Sequence, residues 1–156
     1  MKQQQSIFLL LIMVLSLTAC TVSKQLKAHR SELDMLATSQ MDPKVKFDRF
    51  ATVIANMLDE ATDLESPIRS VRYVQRFAKQ NGPEIEMITQ ELDGEIKRMN
   101  TARKVAFAGR AMTRPYGQKL ARLIPKINRI AEAGGYDLGP IQEAFALFAL
   151  KQVVKN

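Results

Sequence analysis

Several residue types are scarce in this chain of 156 residues, and their scarcity excludes whole classes of protein. It contains one cysteine, one histidine and no tryptophan. A single cysteine cannot form an intramolecular disulfide, and a single histidine cannot supply a His-based metal cage or the paired Glu-x-x-His ligands of a di-iron bundle. Seven glycines and six prolines are too few for a collagen-like or low-complexity chain. These exclusions leave a globular protein that has no intramolecular disulfide and no histidine-based metal site.

The sequence also lacks a run of about 20 apolar residues, the length that a permanent membrane helix needs. The apolar stretch Ile7 to Leu17 is shorter than this and is broken only by Ser16. It follows a polar start with one cation, Lys2, and small residues come after it. This layout is typical of a secretory signal peptide.

The signal segment ends in Leu17-Thr18-Ala19-Cys20, which resembles the lipobox of bacterial lipoprotein precursors. The resemblance covers residues 1–20 only. It implies that a diacylglycerol is attached to the Cys20 sulfur, that residues 1–19 are cleaved off, and that the new amino group is acylated, with palmitate as the expected chain. Two or three acyl chains anchor a protein durably, since each buried methylene contributes about 0.8 kcal/mol. The alternatives are an ordinary signal peptide with a chance cysteine and an uncleaved membrane helix.

The residue after the cysteine is Thr21 rather than aspartate, which resembles lipoproteins that diderm bacteria send to the outer membrane. Removal of residues 1–19 takes away only Lys2 among the charged side chains, so the mature chain stays basic. We therefore expect a lipid-anchored protein of the cell envelope, at the outer membrane if the host is a diderm.

Prolines and glycines divide the mature chain into predicted helices. Ser31 is a candidate cap for a first helix within residues 21–41. Later helix starts are predicted where a proline can occupy the first helical turn: Pro43, Pro67, Pro115 and Pro140. Glycine predicts helix ends at Asn81-Gly82 and Gly134-Gly135. Pro83 would then open the longest helix, to about Met112, and Pro125 would kink the next.

Apolar residues recur at spacings of three and four within these segments, which predicts one buried face on each helix. The expected faces are Phe47, Phe50, Ile54, Met57, Ala61 and Leu64; Ile68, Val71, Val74, Phe77 and Ala78; Ile85, Ile88, Leu92, Ile96 and Met99; Tyr116, Leu120, Leu123, Ile124, Ile127 and Ile130; and Ile141, Ala144, Phe145, Leu147, Phe148 and Leu150. The last set covers most of its helix, which predicts a central position.

No segment alternates apolar and polar residues as a strand would. We predict an all-α protein, a compact bundle of about five to six helices. Its expected parts are a signal peptide at 1–19, a lipidated tether and first helix at 20–41, and the bundle domain at 42–156.

The charges are segregated along the chain. Residues 84–95 hold five acids and no base, whereas residues 96–131 hold ten cations and no acid. Two sets of cations also have helical spacing, and each places four charges on one side of a helix. The first basic row is Arg69, Arg72, Arg76 and Lys79, and the second basic row is Lys119, Arg122, Lys126 and Arg129.

The basic rows have two interpretations. They are either the solvated faces of amphipathic helices, or an anion-binding surface for lipid head groups, lipid A phosphates, wall polymers or an acidic envelope protein. Nucleic acid is not expected as a partner, because no nucleic-acid-binding motif accompanies the charge.

Catalytic patterns are weak. His29 is expected to be a surface or packing residue, because no motif ties a nucleophile or carboxylate to it. Glu60 and Asp63 stand one turn apart without a histidine partner and are expected to be surface charges. Glu65-Ser66 is similar to the Glu-Ser start of lytic transglycosylase domains, but Pro67 follows and the later family segment is missing. The glycine-rich stretch 134–139 follows no strand and predicts a helix-ending loop around Tyr136.

These observations favour a non-enzymatic function without a cofactor or metal. The expected function is a membrane-anchored interaction or scaffolding subunit of an envelope system. The alternative is a lipid- or amphiphile-binding bundle, which requires a cavity of a few hundred cubic ångströms between its helices. A more remote alternative is a glycan-cleaving enzyme that uses Glu65 as its acid.

Overall fold

The computed structural model describes residues 24, 26–64, 66–135 and 138–148, without the side chains of residues 145 and 146. Within these residues the chain forms six helices and no strand, which confirms the predicted all-α bundle. Helix α1 spans residues 26–38, and the others are α2 Pro43–Thr62, α3 Pro67–Arg98, α4 Thr101–Thr113, α5 Pro115–Ala133 and α6 Pro140–Phe148. The predictions for Cys20, Glu65, Tyr136, Leu150 and the Phe145 side chain lie outside the described residues.

Helix α2 is the most deeply buried of these helices. It begins as predicted, with the Asp42 carboxylate accepting the backbone amides of Lys44 and Val45 at 2.9 and 3.3 Å. Its predicted apolar face is fully buried from Phe47 to Ala61, and Leu64 is half-buried. Helices α2 and α3 contact each other and both contact α5 and α6, so these two helices take the central position that the sequence assigned to α6. In α6, Leu147 and Phe148 remain only half-buried against α2 and α3.

The predicted helix end at Asn81-Gly82 is wrong, because α3 continues through Pro83 to Arg98. The buried residues before Pro83 and those after it lie on the same side of α3, so both halves of the helix pack against the core. This burial offsets the cost of an interior proline, about 3 kcal/mol. A Cβ at Gly82 would make only an ordinary van der Waals contact, 3.7 Å from Cγ of Pro140, so the packing of α6 on α3 does not require glycine there.

The predicted helix from Pro83 to Met112 is also divided elsewhere. Asn100 caps a new helix, with its side-chain oxygen accepting the backbone amide of Arg103 at 2.9 Å. The break comes after Lys97 and Arg98, so the reversal from acidic to basic residues lies within the last turns of α3, and α4 continues the basic block. The ends predicted at Arg114-Pro115 and Gly134-Gly135 are confirmed, and Pro125 lies inside α5 as expected.

Three further expectations need correction. Helix α1 begins before Ser31, because Leu26 already packs in the core with Leu33 and Leu36. Ile68 is 62% exposed and Ile124 is 45% exposed, so neither belongs to a buried face. Both residues lie at the margin of an apolar stripe, where helical spacing alone does not separate buried from exposed positions.

Cross-helix contacts define two ends of the bundle. His29 of α1 meets Glu60 of α2 at one end, while Ser39 meets Lys46 towards the other, so α1 runs antiparallel to α2. Helix α5 runs parallel to α2, since Tyr116 contacts Asp48 and Lys126 contacts Asp63. We call the region where α1 and α3 start and α2 and α5 end the Glu60 end. The opposite region, with the start of α2, the end of α3 and α4, is the Lys44 end. The 20 residues of α2 separate the two by about 30 Å.

Candidate functional site

The first basic row runs along the outward side of α3, from the first turn at the Glu60 end towards the middle of the helix. Its four side chains are exposed and form no ion pair with any described residue. The core side of the same turns carries Val71, Val74 and Phe77, so helical geometry sets the cations apart from the core. Ile68, the exposed apolar residue of this surface, immediately precedes Arg69. The row is therefore an accessible cationic surface with one apolar side chain beside it.

The second basic row is divided by its contacts. Lys119 Nζ lies 3.1 Å from Asp59 Oδ2 and donates to Asn56 Oδ1 at 2.9 Å. Lys126 Nζ lies 4.0 Å from Asp63 Oδ1. Lys119 joins α5 to α2, whereas the Lys126 contact is at the limit of an ion pair between two exposed side chains and leaves Lys126 accessible. Only Arg122 and Arg129 of this row remain exposed without an ion pair to the part of the chain that the structure describes.

A polar cluster at the Glu60 end holds the start of α1 in place. His29 Nε2 lies 3.0 Å from each carboxylate oxygen of Glu60, and Tyr73 donates its hydroxyl hydrogen to Glu60 at 2.5 Å. The His29 ring also meets the Phe77 ring edge-on, with centroids 5.9 Å apart. His29 is thus a packing residue as expected, but Glu60 is not a free surface charge. Because Glu60 is 31 positions from His29, no local motif indicates the pair.

The protonation of this cluster favours a structural role. Burial, followed by the hydrogen bond and charge of Glu60, raises the pKa of Tyr73 far above its ordinary range. The phenol therefore remains a hydrogen-bond donor at physiological pH. Within the described residues no group of three potential metal ligands comes together. The cluster fixes the start of α1 against α2 and α3 at the Glu60 end.

Three of the five carboxylates in residues 84–95 form ion pairs within the molecule. The ammonium of Lys46 is buried and donates to both oxygens of Glu91, at 2.9 and 2.7 Å, and to the carbonyl of Ser39 at 2.8 Å. Asp93 pairs with Lys97, and Glu95 pairs with Arg98. Sequence reasoning missed Lys46 because a lysine beside an apolar face normally points to solvent.

Asp48 joins three helices at the Lys44 end. Its carboxylate accepts the Tyr116 hydroxyl hydrogen at 2.8 Å and lies 3.7 Å from the guanidinium of Arg110 and 3.5 Å from that of Arg114. Burial, followed by the hydrogen bond to Asp48, raises the pKa of Tyr116 well above its ordinary range, so this phenol is a donor too. Part of the basic block from 96 to 131 is therefore neutralised by α2.

A cleft of about 570 Å³ opens at the Lys44 end between the start of α2, the end of α3 and α4. We call it the Lys44 cleft. Three apolar residues line it, the buried Phe107, the half-buried Met99 and the exposed Ala106, and we call them its floor. Its charged lining residues, which we call its rim, are one carboxylate and four cations, namely Glu95, Lys44, Arg98, Arg103 and Arg110. The size meets the requirement of the amphiphile-binding hypothesis, although α6, which motivated that hypothesis, does not line the cleft.

The Lys44 cleft was not predicted from the sequence. Its residues come from three separate segments, and the break at Asn100 that turns α4 beside α3 was missed. The only indication in the sequence was the charge reversal after Glu95, which places cations on both sides of the turn between α3 and α4.

No protein-family model, curated protein or solved structure matches the chain. Among the described helices, none combines the length and the apolar composition needed to cross a bilayer. Function must therefore be inferred from the residues themselves.

Proposed function

We propose that this protein is a lipid-anchored lipoprotein of the bacterial envelope that acts as a non-enzymatic interaction or scaffolding subunit. Cys20 carries the lipid, the Glu60 end faces the membrane, and the Lys44 end faces the surrounding space. In a diderm host the membrane is the outer membrane. The sole cysteine is then consumed as an anchor, which leaves no free thiol in an oxidising compartment.

One observation carries this proposal: the start of α1, which follows Cys20 in the chain, and the unpaired cations of the first basic row share one end of the bundle. The chain from Cys20 to the buried Leu26 spans at most about 20 Å even when extended. Leu26 lies one helical turn before His29, which is held against Glu60 and Phe77. The lipid and the first basic row therefore belong to the same end of the bundle.

Charge and apolar surface at this end suit an anionic membrane. Lys24 and Lys27 are exposed at the start of α1, at the end of the bundle where the exposed first basic row of α3 begins. Each cation near an anionic membrane contributes about 1 kcal/mol, within a Debye length of the surface. The exposed Ile68 adds an apolar contact at head-group level. The acyl chains hold the domain, and the cations orient it.

Tethering gives this arrangement its function. A domain held on a membrane encounters other envelope components at a high effective concentration, without any new contact of its own. Cross-helix ion pairs and a continuous core hold the bundle together, so its Lys44 end is held about 30 Å from the Glu60 end. A partner-binding surface at the Lys44 end would therefore project away from the membrane.

Neutralising the first basic row should weaken binding to anionic vesicles. In mature protein with Cys20→Ser, Arg69, Arg72, Arg76 and Lys79 are changed to Gln, and sedimentation with phosphatidylglycerol–phosphatidylcholine vesicles is measured at low salt. We expect at least about a tenfold loss of binding, because four head-group attractions are removed. Helicity should not change, since these side chains contact solvent.

A charge-matched variant controls for net charge. Neutralising Lys97, Arg98, Arg103 and Lys104 removes the same number of cations from the Lys44 end and should weaken vesicle binding less than threefold or so. Equal losses in the two variants would show that binding follows total charge rather than the orientation proposed. Unchanged binding in the first variant would show that the first basic row is only the solvated face of a helix.

Amphiphile binding is the second candidate function, and the Lys44 cleft is the observation that favours it. Its volume lies in the range of small-molecule sites, with an apolar floor and cations at the rim. Native mass spectrometry of protein extracted in mild detergent would detect a retained anionic lipid beyond the covalent anchor. The glycan-cleaving alternative depends on Glu65, which lies outside the described residues, and no described residue favours it.

A further inference from the structure

We propose that the Lys44 cleft binds an acidic segment of a partner protein, with one large apolar side chain on its floor and carboxylates at its rim. The inference rests on the proposed function in one respect: the membrane anchor holds the Glu60 end, and this leaves the Lys44 end free for a partner. The chemistry of the cleft itself is independent of the anchor.

The rim has unneutralised positive charge in two places. Lys44, in the first turn of α2, and Arg103, in the first turn of α4, are exposed and form no ion pair with a described residue. Arg98 is paired with Glu95, and Arg110 lies beside Asp48. The two free cations belong to different helices on the rim of one cleft. A ligand with several separated carboxylates complements this arrangement better than a single anion does.

The floor is a fixed apolar surface. Phe107 is buried and packs against Phe47 from behind, with ring centroids 4.7 Å apart. The guanidinium of Arg110 lies 5.4 Å from the centre of the Phe107 ring, which holds the arginine over the ring. Met99 is half-buried and is an adaptable contact for an incoming side chain, and Ala106 adds a small exposed apolar contact. Together these residues offer a contact for one aromatic or aliphatic side chain.

This geometry favours a peptide over a phospholipid. Three apolar residues cannot cover two acyl chains, whose burial is what removes a lipid from a bilayer. The cleft also lies about 30 Å from the Glu60 end, so a membrane lipid would have to leave the bilayer to reach it. A partner segment with acidic side chains and one large apolar side chain avoids both problems. It needs only a small apolar surface, and it does not have to leave a bilayer.

A peptide-binding experiment tests the proposal. The acylated mature protein is placed in nanodiscs of neutral phosphatidylcholine, and fluorescence anisotropy is measured with the labelled peptide Glu-Glu-Phe-Glu-Glu. We expect saturable binding that weakens about fivefold when the peptide's phenylalanine is replaced by alanine. It should weaken at least about tenfold in the double variant Lys44→Glu with Arg103→Glu, and the peptide Lys-Lys-Phe-Lys-Lys should not bind.

Two further variants keep the result interpretable. Arg72→Glu with Arg76→Glu makes the same charge change on the first basic row and should leave peptide affinity within about twofold of wild type. Ala106→Trp fills the cleft without altering charge and should abolish binding while circular dichroism stays unchanged. Crosslinking from a photoreactive residue placed in the peptide at the phenylalanine position should map to α4.

Specific outcomes would overturn the proposal. Equal losses in the two charge-reversal pairs, or normal binding in Ala106→Trp, would show that the cleft is not the site. Strong binding of short-chain phosphatidylglycerol without peptide binding would identify an amphiphile site. Concentration-dependent dimerisation that Lys44→Glu removes, without peptide binding, would assign the cleft to a second copy of the chain. If wild type proves to carry no lipid yet binds the peptide, only the proposed function fails.

Discussion

Replacing Glu91 by glutamine is expected to destabilise the bundle by about 3–5 kcal/mol, because the change leaves the Lys46 ammonium buried without its counter-charge. The Lys46 side chain is 2% exposed, and Glu91 provides both of its ionic contacts. The Ser39 carbonyl and the amide oxygen of the new glutamine would remain as acceptors, but neither carries a charge. Urea denaturation followed by circular dichroism at neutral pH measures this loss.

Removing the other partner of this ion pair, Lys46, provides a matched control. Lys46→Met should cost less than about half as much, because Glu91 is 41% exposed and returns to water when its partner is removed. The methionine side chain also fills much of the space of the lysine stem. Equal costs for the two changes, or a loss below about 1 kcal/mol for Glu91→Gln, would contradict the assignment of Lys46 as a desolvated charge.

Replacing Gly117 by alanine is expected to separate α4 from α5 and to cost about 3 kcal/mol or more, as severe overpacking does. A Cβ at this position would lie 2.2 Å from the Ala111 carbonyl oxygen and 3.0 Å from the Met112 Cα atom. Both are backbone atoms, so no side chain can rotate away to relieve the clash. Hydrogen exchange should show the loss of protection concentrated in Thr101–Thr113.

Gly109→Ala is the control for this prediction. It lies in α4, and a Cβ there meets no atom within 4 Å. It should raise the free energy of unfolding by about 0.5–1 kcal/mol through helix propensity alone. A Gly117→Ala variant as stable as Gly109→Ala would show that the close approach of α5 to the end of α4 is not maintained in solution.

The local signals in the sequence predicted much of the fold. Asp42-Pro43 starts α2 because capping and a first-turn proline act within four residues, and no distant part of the chain is needed. The face from Phe47 to Ala61 is buried because its spacing alone defines one side of a helix. The same kind of reasoning failed at Pro83, where packing on both sides outweighed the local preference for a break.

The functional surfaces were predicted less completely, for a physical reason. Helical spacing identifies cations that share a face, and the first basic row is indeed free at the surface. Spacing does not show which helix lies opposite, and so Lys119 and Lys126 were counted as anion-binding candidates although Asp59 and Asp63 face them. The His29–Glu60 contact and the Lys44 cleft depend on tertiary structure entirely.

The central claim is that Cys20 carries a lipid that holds the Glu60 end at the membrane. Its most direct test is metabolic labelling of the producing bacterium with alkyne-palmitate, followed by purification and membrane fractionation. Wild-type protein should be labelled and found with the membranes, whereas Cys20→Ser should carry no label and lose its membrane anchorage. Equal labelling of the two proteins, or an unlabelled wild type, would contradict the account.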